Sequence, residues 1–198
     1  MKIKDTFYKG YRFRSRLEAR WAVCFDALGI RWDYEPEGFV LDDGTCYLPD
    51  FLLHGLVGRY EGDLFVEVKG SLNDYDCRKI KGFVCPDENG KPTVPLLVLS
   101  GIPEGETYSD IINDITVRAY QPLVSESGGE VYPFNFETVD GDHQGAHLGV
   151  DMEGRPHLFG DTLQQLEGMD GERVVKAYAK ARQARFEYGQ TPIGGKRK

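Results

Sequence analysis

Apolar residues recur at three- and four-residue intervals from Leu17 through Trp21, Cys24 and Phe25 to Leu28, which predicts an amphipathic helix with one buried stripe. Ser15, three residues before Glu18, has the form of a capping box, and Gly29 stands where a left-handed C-terminal cap belongs. From Ile30 the period changes to two: Ile30, Trp32 and Tyr34 alternate with charged residues, as in a half-covered strand. Asp43-Gly44 signals a hairpin turn between Phe39-Val40 and the run from Cys46 to Leu53. His54 to Gly62 holds three glycines and is expected to be a loop; Leu64 to Val68 then forms a third strand that ends at Gly70. Asn73 is placed to cap a helix through Arg78 and Ile80 to about Phe83. Pro95 to Ser100, with Leu-Leu-Val-Leu at its centre, is expected to be a buried strand. The order is helix, three-strand meander, helix, strand, an α/β sandwich core of roughly one hundred residues.

Beyond Gly101 the pattern weakens. Glu106 to Ile115 suggests a short helix, Val131 to Thr138 a strand, and Met152 to Phe159 a small hairpin with Glu153-Gly154 at its tip. Glu172 to Tyr188 predicts a second long helix, with Val174, Val175, Tyr178, Ala181 and Arg185 spaced along it. Thr191 to Lys198 is glycine-rich and basic and is expected to be a disordered tail. No internal repeat is visible. The chain thus divides into a core (1–103), an acidic elaboration (104–171), a basic helix (172–190) and the tail (191–198).

Composition adds exclusions. No run approaches eighteen consecutive apolar residues, so no membrane-spanning helix is expected. Met1 to Lys4 leads into charged sequence without the apolar stretch of a signal peptide. Cys24, Cys46, Cys77 and Cys85 are scattered without a Cys-x-x-Cys pair, which suits reduced thiols and a cytoplasmic location. The net charge of −8 argues against a polyanionic ligand until its distribution is read. Residues 1–31 carry eight Lys/Arg against three Asp/Glu, a net +5, and residues 172–198 carry eight against two, a net +6. The middle of the chain holds the other eight basic residues against twenty-seven acidic ones, a net −19. Steering depends on the local face, so this balance permits nucleic-acid binding without establishing it.

The chemistry concentrates in Tyr47-Leu48-Pro49-Asp50-Phe51 and Phe65-Val66-Glu67-Val68-Lys69-Gly70. Side chains alternate along a strand, so Glu67 and Lys69 emerge on one face, and a hairpin-like connection would set Asp50 beside Glu67. Two adjacent carboxylates repel unless a counter-ion joins them, and oxygen ligands suit Mg²⁺ or Mn²⁺. The backbone carbonyl of Val68 is placed to be a further ligand, and Glu18 in the first helical turn to complete the shell directly or through water. A cation so held would polarise a phosphodiester, with Lys69 orienting the attacking water and offsetting negative charge. Glu18 as a simple cap and Glu67–Lys69 as a half-exposed strand pair are the plainer alternatives.

In this order of elements the chain resembles the PD-(D/E)XK nuclease superfamily, and within it the phage endonuclease I family of branched-DNA resolvases. Phe13-Arg14-Ser15-x-Leu17-Glu18, Gly29-Ile30 with Tyr34-Glu35, Tyr47-x-Pro49-Asp50-Phe51-Leu52-Leu53 and Phe65-Val66-Glu67-x-Lys69-Gly70 follow that family's pattern, and Asp76-x-Arg78-Lys79 extends it. The resemblance covers roughly residues 11 to 85. It implies a restriction-endonuclease-like core, with a C-terminal elaboration ending in a helix. It also implies metal-binding Asp50 and Glu67, catalytic Lys69, Glu18 completing the site, and DNA, branched or partly single-stranded, as substrate. No small-molecule cofactor is implied.

Three basic groups are candidates for gripping the DNA backbone. Arg12, Arg14 and Arg16 flank Glu18; Arg78, Lys79 and Lys81 follow the Glu-x-Lys strand; Arg173, Lys176, Lys180 and Arg182 form a stripe on the last helix. For the last group a solvated helix face is an equal alternative. His143 and His147 are expected in a polar loop rather than at zinc, and His54 and His157 on loop or hairpin surface. Two strand cuts need two sites, which makes a homodimer plausible. A non-catalytic nucleic-acid-binding module, or a nuclease acting on RNA or transposon ends, remains open.

Overall fold

Residues 6–58, 61–70, 73–84, 94, 96–100, 118–120, 123–124, 131–132, 136–137, 143–144, 146–160 and 168–186 are described by the structure, a computed structural model. Two strands, β1 (Thr6–Tyr8) and β2 (Tyr11–Phe13), form a hairpin ahead of helix α1 (Arg16–Leu28). Ser15 caps α1 by accepting the Glu18 N–H at 3.1 Å. Gly29 closes it in the left-handed region (φ 79°), with the Ile30 N–H reaching back to the Phe25 carbonyl at 2.9 Å. Burial on α1 is wider than one stripe: Ala19, Ala22 and Val23 are enclosed along with Trp21, Cys24, Phe25 and Leu28. The cause is a second cover, because α1 packs more extensively against α3 (Gly171–Gln183) than against any other element.

The sheet is mixed. β3 (Arg31–Tyr34) pairs antiparallel with the first half of β6 (Phe51–Gly58), and β6 pairs antiparallel with β7 (Gly62–Lys69). After α2 (Asp74–Val84), β8 (Leu96–Ser100) runs parallel to β7, and β9 (Arg118–Tyr120) lies antiparallel to β8. On the other side, β15 (Pro156–Gly160) runs parallel to the end of β6, with β14 (Ala146–Val150) antiparallel outside it. The resulting order is β14-β15-β6-β7-β8-β9, with β3 also on β6. Three two-residue pairs lie outside it or between its members: β4 (Phe39–Val40) with β5 (Cys46–Tyr47), β10 (Leu123–Val124) with β11 (Val131–Tyr132), and β12 (Phe136–Glu137) with β13 (His143–Gln144). The fold is therefore α/β.

Alternation sorts the two faces of the sheet. Leu64, Val66 and Val68 join Phe51, Leu53, Leu97, Leu99, Leu148 and Val150 in the larger core, beneath α1 and α3. Phe65, Leu96 and Val98 belong to the smaller core with Tyr47, Ile80, Phe83 and Val84, beneath α2. Each fully buried large side chain, such as Trp21, Phe25 or Tyr178, contributes about 1.5–3 kcal/mol to stability.

Several expectations are corrected. His54 to Gly62 is largely strand: β6 continues to Gly58, with a register shift between Leu53 and Leu56 where Gly55 has φ 65°. That extra residue lets Leu53 and Leu56 face the same core. The run Cys46 to Leu53 divides at Leu48–Asp50, since Pro49 offers no N–H to a ladder. Val131 to Thr138 is two short strands with different partners. The hairpin at Glu153-Gly154 begins at Ala146 and joins the central sheet. His143 and His147 therefore lie on strands, as do His54 and His157. His157 lies in the expected hairpin, 3.0 Å from Asp151, whereas His54 is a strand residue rather than a loop residue and bridges Asp33 and Asp63. The last helix ends at Gln183. The helix expected at Glu106 to Ile115 and the C-terminal tail lie outside the described residues. No helix among the described residues is long and apolar enough to cross a membrane.

Candidate active site

Four acidic residues are buried among those described, and three of them, Glu18, Asp50 and Glu67, line one cavity of about 640 Å³. Lys69 lines it too, so the four residues singled out in the sequence share one space. The ladder explains the placement. Phe51 lies opposite Val66, and continuing that register one residue back sets Asp50 opposite Glu67 on the α2 side of the sheet. The Glu35 N–H donates to the Asp50 carbonyl at 2.9 Å and fixes the backbone there.

The Asp50 side chain accepts the Val68 N–H at 2.7 Å through Oδ2 and meets Arg14 Nη2 at 3.3 Å through Oδ1. A strand residue points its N–H and C=O to the same side, so the Val68 carbonyl also faces the Asp50 side. Burial, then repulsion by Glu67 and Glu18, pushes the Asp50 carboxyl up to about 8, against the pull of the Val68 N–H and Arg14. Glu67 accepts the Tyr47 hydroxyl at 3.0 Å and pairs with Lys69 Nζ at 2.8 Å. Lys69 lies a further 3.5 Å from Asp76, in the first turn of α2, where Asn73 accepts the Tyr75 and Asp76 N–H groups. Burial alone would lower the Lys69 pKa, but Glu67, Asp50 and Asp76 together raise it, so its ammonium stays charged. Burial and the adjacent Glu67 likewise hold the Tyr47 hydroxyl protonated and donating.

Glu18 is anchored from the other wall. Its carboxylate accepts the Tyr34 hydroxyl at 2.6 Å and the Arg14 N–H at 3.2 Å, while its own N–H serves the Ser15 cap. The cap and the site role therefore use different atoms of the same residue. Among the described residues, no group of three or more His, Cys, Asp and Glu converges closely enough to hold a metal ion unaided. Asp50 and Glu67 face each other across the ladder, and Glu18 lines the same cavity near enough to repel the Asp50 carboxylate. Asp50, Glu67 and the Val68 carbonyl are an all-oxygen set of the kind a hard cation takes.

The basic residues separate clearly. Arg14 and Lys79 line the cavity, and Lys79 Nζ lies 5.2 Å from the centre of the Tyr47 ring. Arg12, Arg16 and Arg78 are exposed on β2, α1 and α2, and Lys81 lies on α2 with its side chain outside the described set. Arg173 is half-buried and donates to the Leu28 carbonyl at 3.0 Å, capping α1. Lys176 pairs with Glu172, and none of Arg173, Lys176, Lys180 and Arg182 lines the cavity. Sequence reasoning missed the two tyrosines that fix the carboxylates. The available signal was that a buried tyrosine hydroxyl needs a partner. Cys24 is a buried free thiol, and Cys46 is an exposed one on the cavity wall.

No family model matches the chain, and neither a curated protein nor a solved structure matches it.

Proposed function

We propose that the protein is a divalent-metal-dependent nuclease with a restriction-endonuclease-like core, cutting phosphodiester bonds in branched or partly single-stranded DNA. The observation that carries this reading is the buried Asp50–Glu67 pair beside the charged Lys69 in an open cavity. Asp50, Glu67 and the Val68 carbonyl would hold Mg²⁺ or Mn²⁺, which would supply Lewis acidity toward the phosphodiester. Tyr47 keeps Glu67 oriented by donating to one of its oxygens, leaving the other to Lys69. Lys69 contributes fixed positive charge where a phosphate gains negative charge, the kind of preorganised stabilisation that lowers such barriers. Arg14, with its side chain 56% exposed and shared between Glu35 and Asp50, would exchange its contact with Asp50 for a DNA phosphate. The basic segment 1–31 supplies the surrounding positive field.

The ion pairs on both carboxylates favour a second reading, a non-catalytic nucleic-acid-binding module. Incubation of the purified protein with linear, nicked, flapped and four-way DNA, in Mg²⁺ or in chelator, separates the two. The nuclease reading expects Mg²⁺-dependent cleavage of branched DNA that Glu67→Gln abolishes. DNA binding without cleavage in Mg²⁺ or Mn²⁺ would establish the module, and full cleavage in chelator would remove the metal from the mechanism.

A further inference from the structure

Beside the carboxylates, the β1–β2 hairpin and β3 present a tier of aromatic rings whose outermost member, Tyr11, is exposed. Phe13 and Phe51 are buried and belong to the core. Trp32 and Tyr34 are half-buried above them, with ring centres 5.6 and 5.4 Å from Phe51. Tyr11 lies outermost, 40% exposed, 5.3 Å from Trp32 and 6.1 Å from Tyr34. The tier is one ring removed from the catalytic acids, because the Tyr34 hydroxyl is 2.6 Å from Glu18. Positive charge lies where the tier meets the cavity: the Arg14 N–H is 3.1 Å from the Tyr34 hydroxyl and its exposed guanidinium lines the cavity, whereas Arg12 is on the other face of the hairpin.

We propose that Tyr11, carried on Trp32 and Tyr34, is a stacking site for an unpaired nucleobase of the DNA strand that enters the cavity. This deepens the nuclease reading and rests on it for the identity of the strand. An exposed ring one step from the Arg14 guanidinium suits a base and a neighbouring phosphate together: the ring takes the π-face and the cation meets the backbone as it enters the cavity. Within a duplex, base faces are covered by their neighbours, so only an unpaired or splayed base can use the site. The site would therefore select branched or frayed DNA without reading sequence, since every base offers a π-face.

Trp32 is a built-in reporter, because the other tryptophan, Trp21, is buried in the core at 1% exposure. Tryptophan fluorescence is followed during titration with an oligothymidylate and with a blunt duplex of equal length, in chelator at low salt so that nothing is cut. Quenching by the single strand is expected, and Tyr11→Leu should weaken single-strand affinity about 5- to 100-fold, the scale of losing one stacked base, with duplex affinity unchanged. Tyr11→Phe keeps the ring and should bind as the parent does, which separates stacking from loss of the hydroxyl. Equal affinity of Tyr11→Leu and parent for the single strand, or equal losses on single strand and duplex, would overturn the stacking site. Cleavage of branched DNA with no effect of Tyr11→Leu would overturn the stacking site alone. Tyr11-dependent single-strand binding without any Mg²⁺-supported cleavage would overturn the nuclease and leave the site standing. A parent protein that binds neither DNA would overturn both.

Discussion

Replacing Asp50 by Asn should make the protein more stable. In the unfolded chain an aspartate titrates near 3.8; in the fold, burial and the neighbouring Glu67 and Glu18 push Asp50 up to about 8. Between these values the folded state binds the extra proton, so stability falls as pH rises from about 4 to about 8. Above that range the penalty is complete, and below it the penalty vanishes. At pH 7.5 the shift corresponds to a ceiling of about 5 kcal/mol, shrinking to about 2 kcal/mol at pH 5. Asn removes the charge but keeps an oxygen for the Val68 N–H, losing the charge assistance of that bond and a half-exposed contact with Arg14. A net gain of about 2 kcal/mol at pH 7.5 is expected, or roughly 4–8 °C in Tm for a chain of this size. Thermal melting of parent and Asp50→Asn in chelator, at pH 5 and pH 7.5, measures it, and the gain should be larger at pH 7.5. Adding Mg²⁺ should then raise the Tm of the parent alone. An Asn variant that melts at or below the parent in chelator at pH 7.5 would refute the claim that Asp50 is held under electrostatic stress.

Lys69→Ala should reduce turnover on DNA by about 10²- to 10⁴-fold while metal affinity, measured by calorimetry, survives; collapse of metal binding would assign the lysine to the metal site. Arg173→Met should cost about 1–2 kcal/mol by orphaning the Leu28 carbonyl, with the salt dependence of DNA binding unchanged; a slope flattened by about one unit would mean that Arg173 touches phosphate. His54 is raised above 6.5 by hydrogen bonds to Asp63 and Asp33, so its contribution is complete below that pH and fades as pH climbs through the higher folded value. The parent should therefore lose more stability between pH 5.5 and pH 8.5 than His54→Gln does, and parallel losses would dissolve the triad's role.

What could be read without a structure was what local rules determine. The α1 stripe, its Ser15 and Gly29 caps, the Asn73 cap and the Leu96–Ser100 strand follow from periodicity and termini alone. Alternation put Glu67 and Lys69 on one face, and the Pro49-Asp50 step placed the second carboxylate beside them. The misses share one cause, partners distant in sequence. His54-Gly55 carries loop chemistry, yet β6 continues through it because Asp33 and Asp63, on the two neighbouring strands, satisfy the imidazole. Arg173 has the spacing of a basic stripe, and spacing could not show its contact 145 residues back with the Leu28 carbonyl. Tyr34 and Tyr47 look like strand aromatics until Glu18 and Glu67 are found at their hydroxyls.

The clasp at Arg173 also ties together parts of the chain that are far apart in sequence. Its guanidinium sits where a Cβ on Gly29 would stand 2.9 Å from Nη2, and one on Gly154 3.0 Å from Nη1, so three distant stretches of chain meet at one side chain. Helix α1, which carries Glu18, packs most extensively against the helix that ends at Gln183. Trp21, Phe25 and Leu28 share their core with Val174, Ala177, Tyr178 and Ala181 of α3, so the cavity wall that carries Glu18 leans on a helix far along the chain from the strands that carry Asp50 and Glu67.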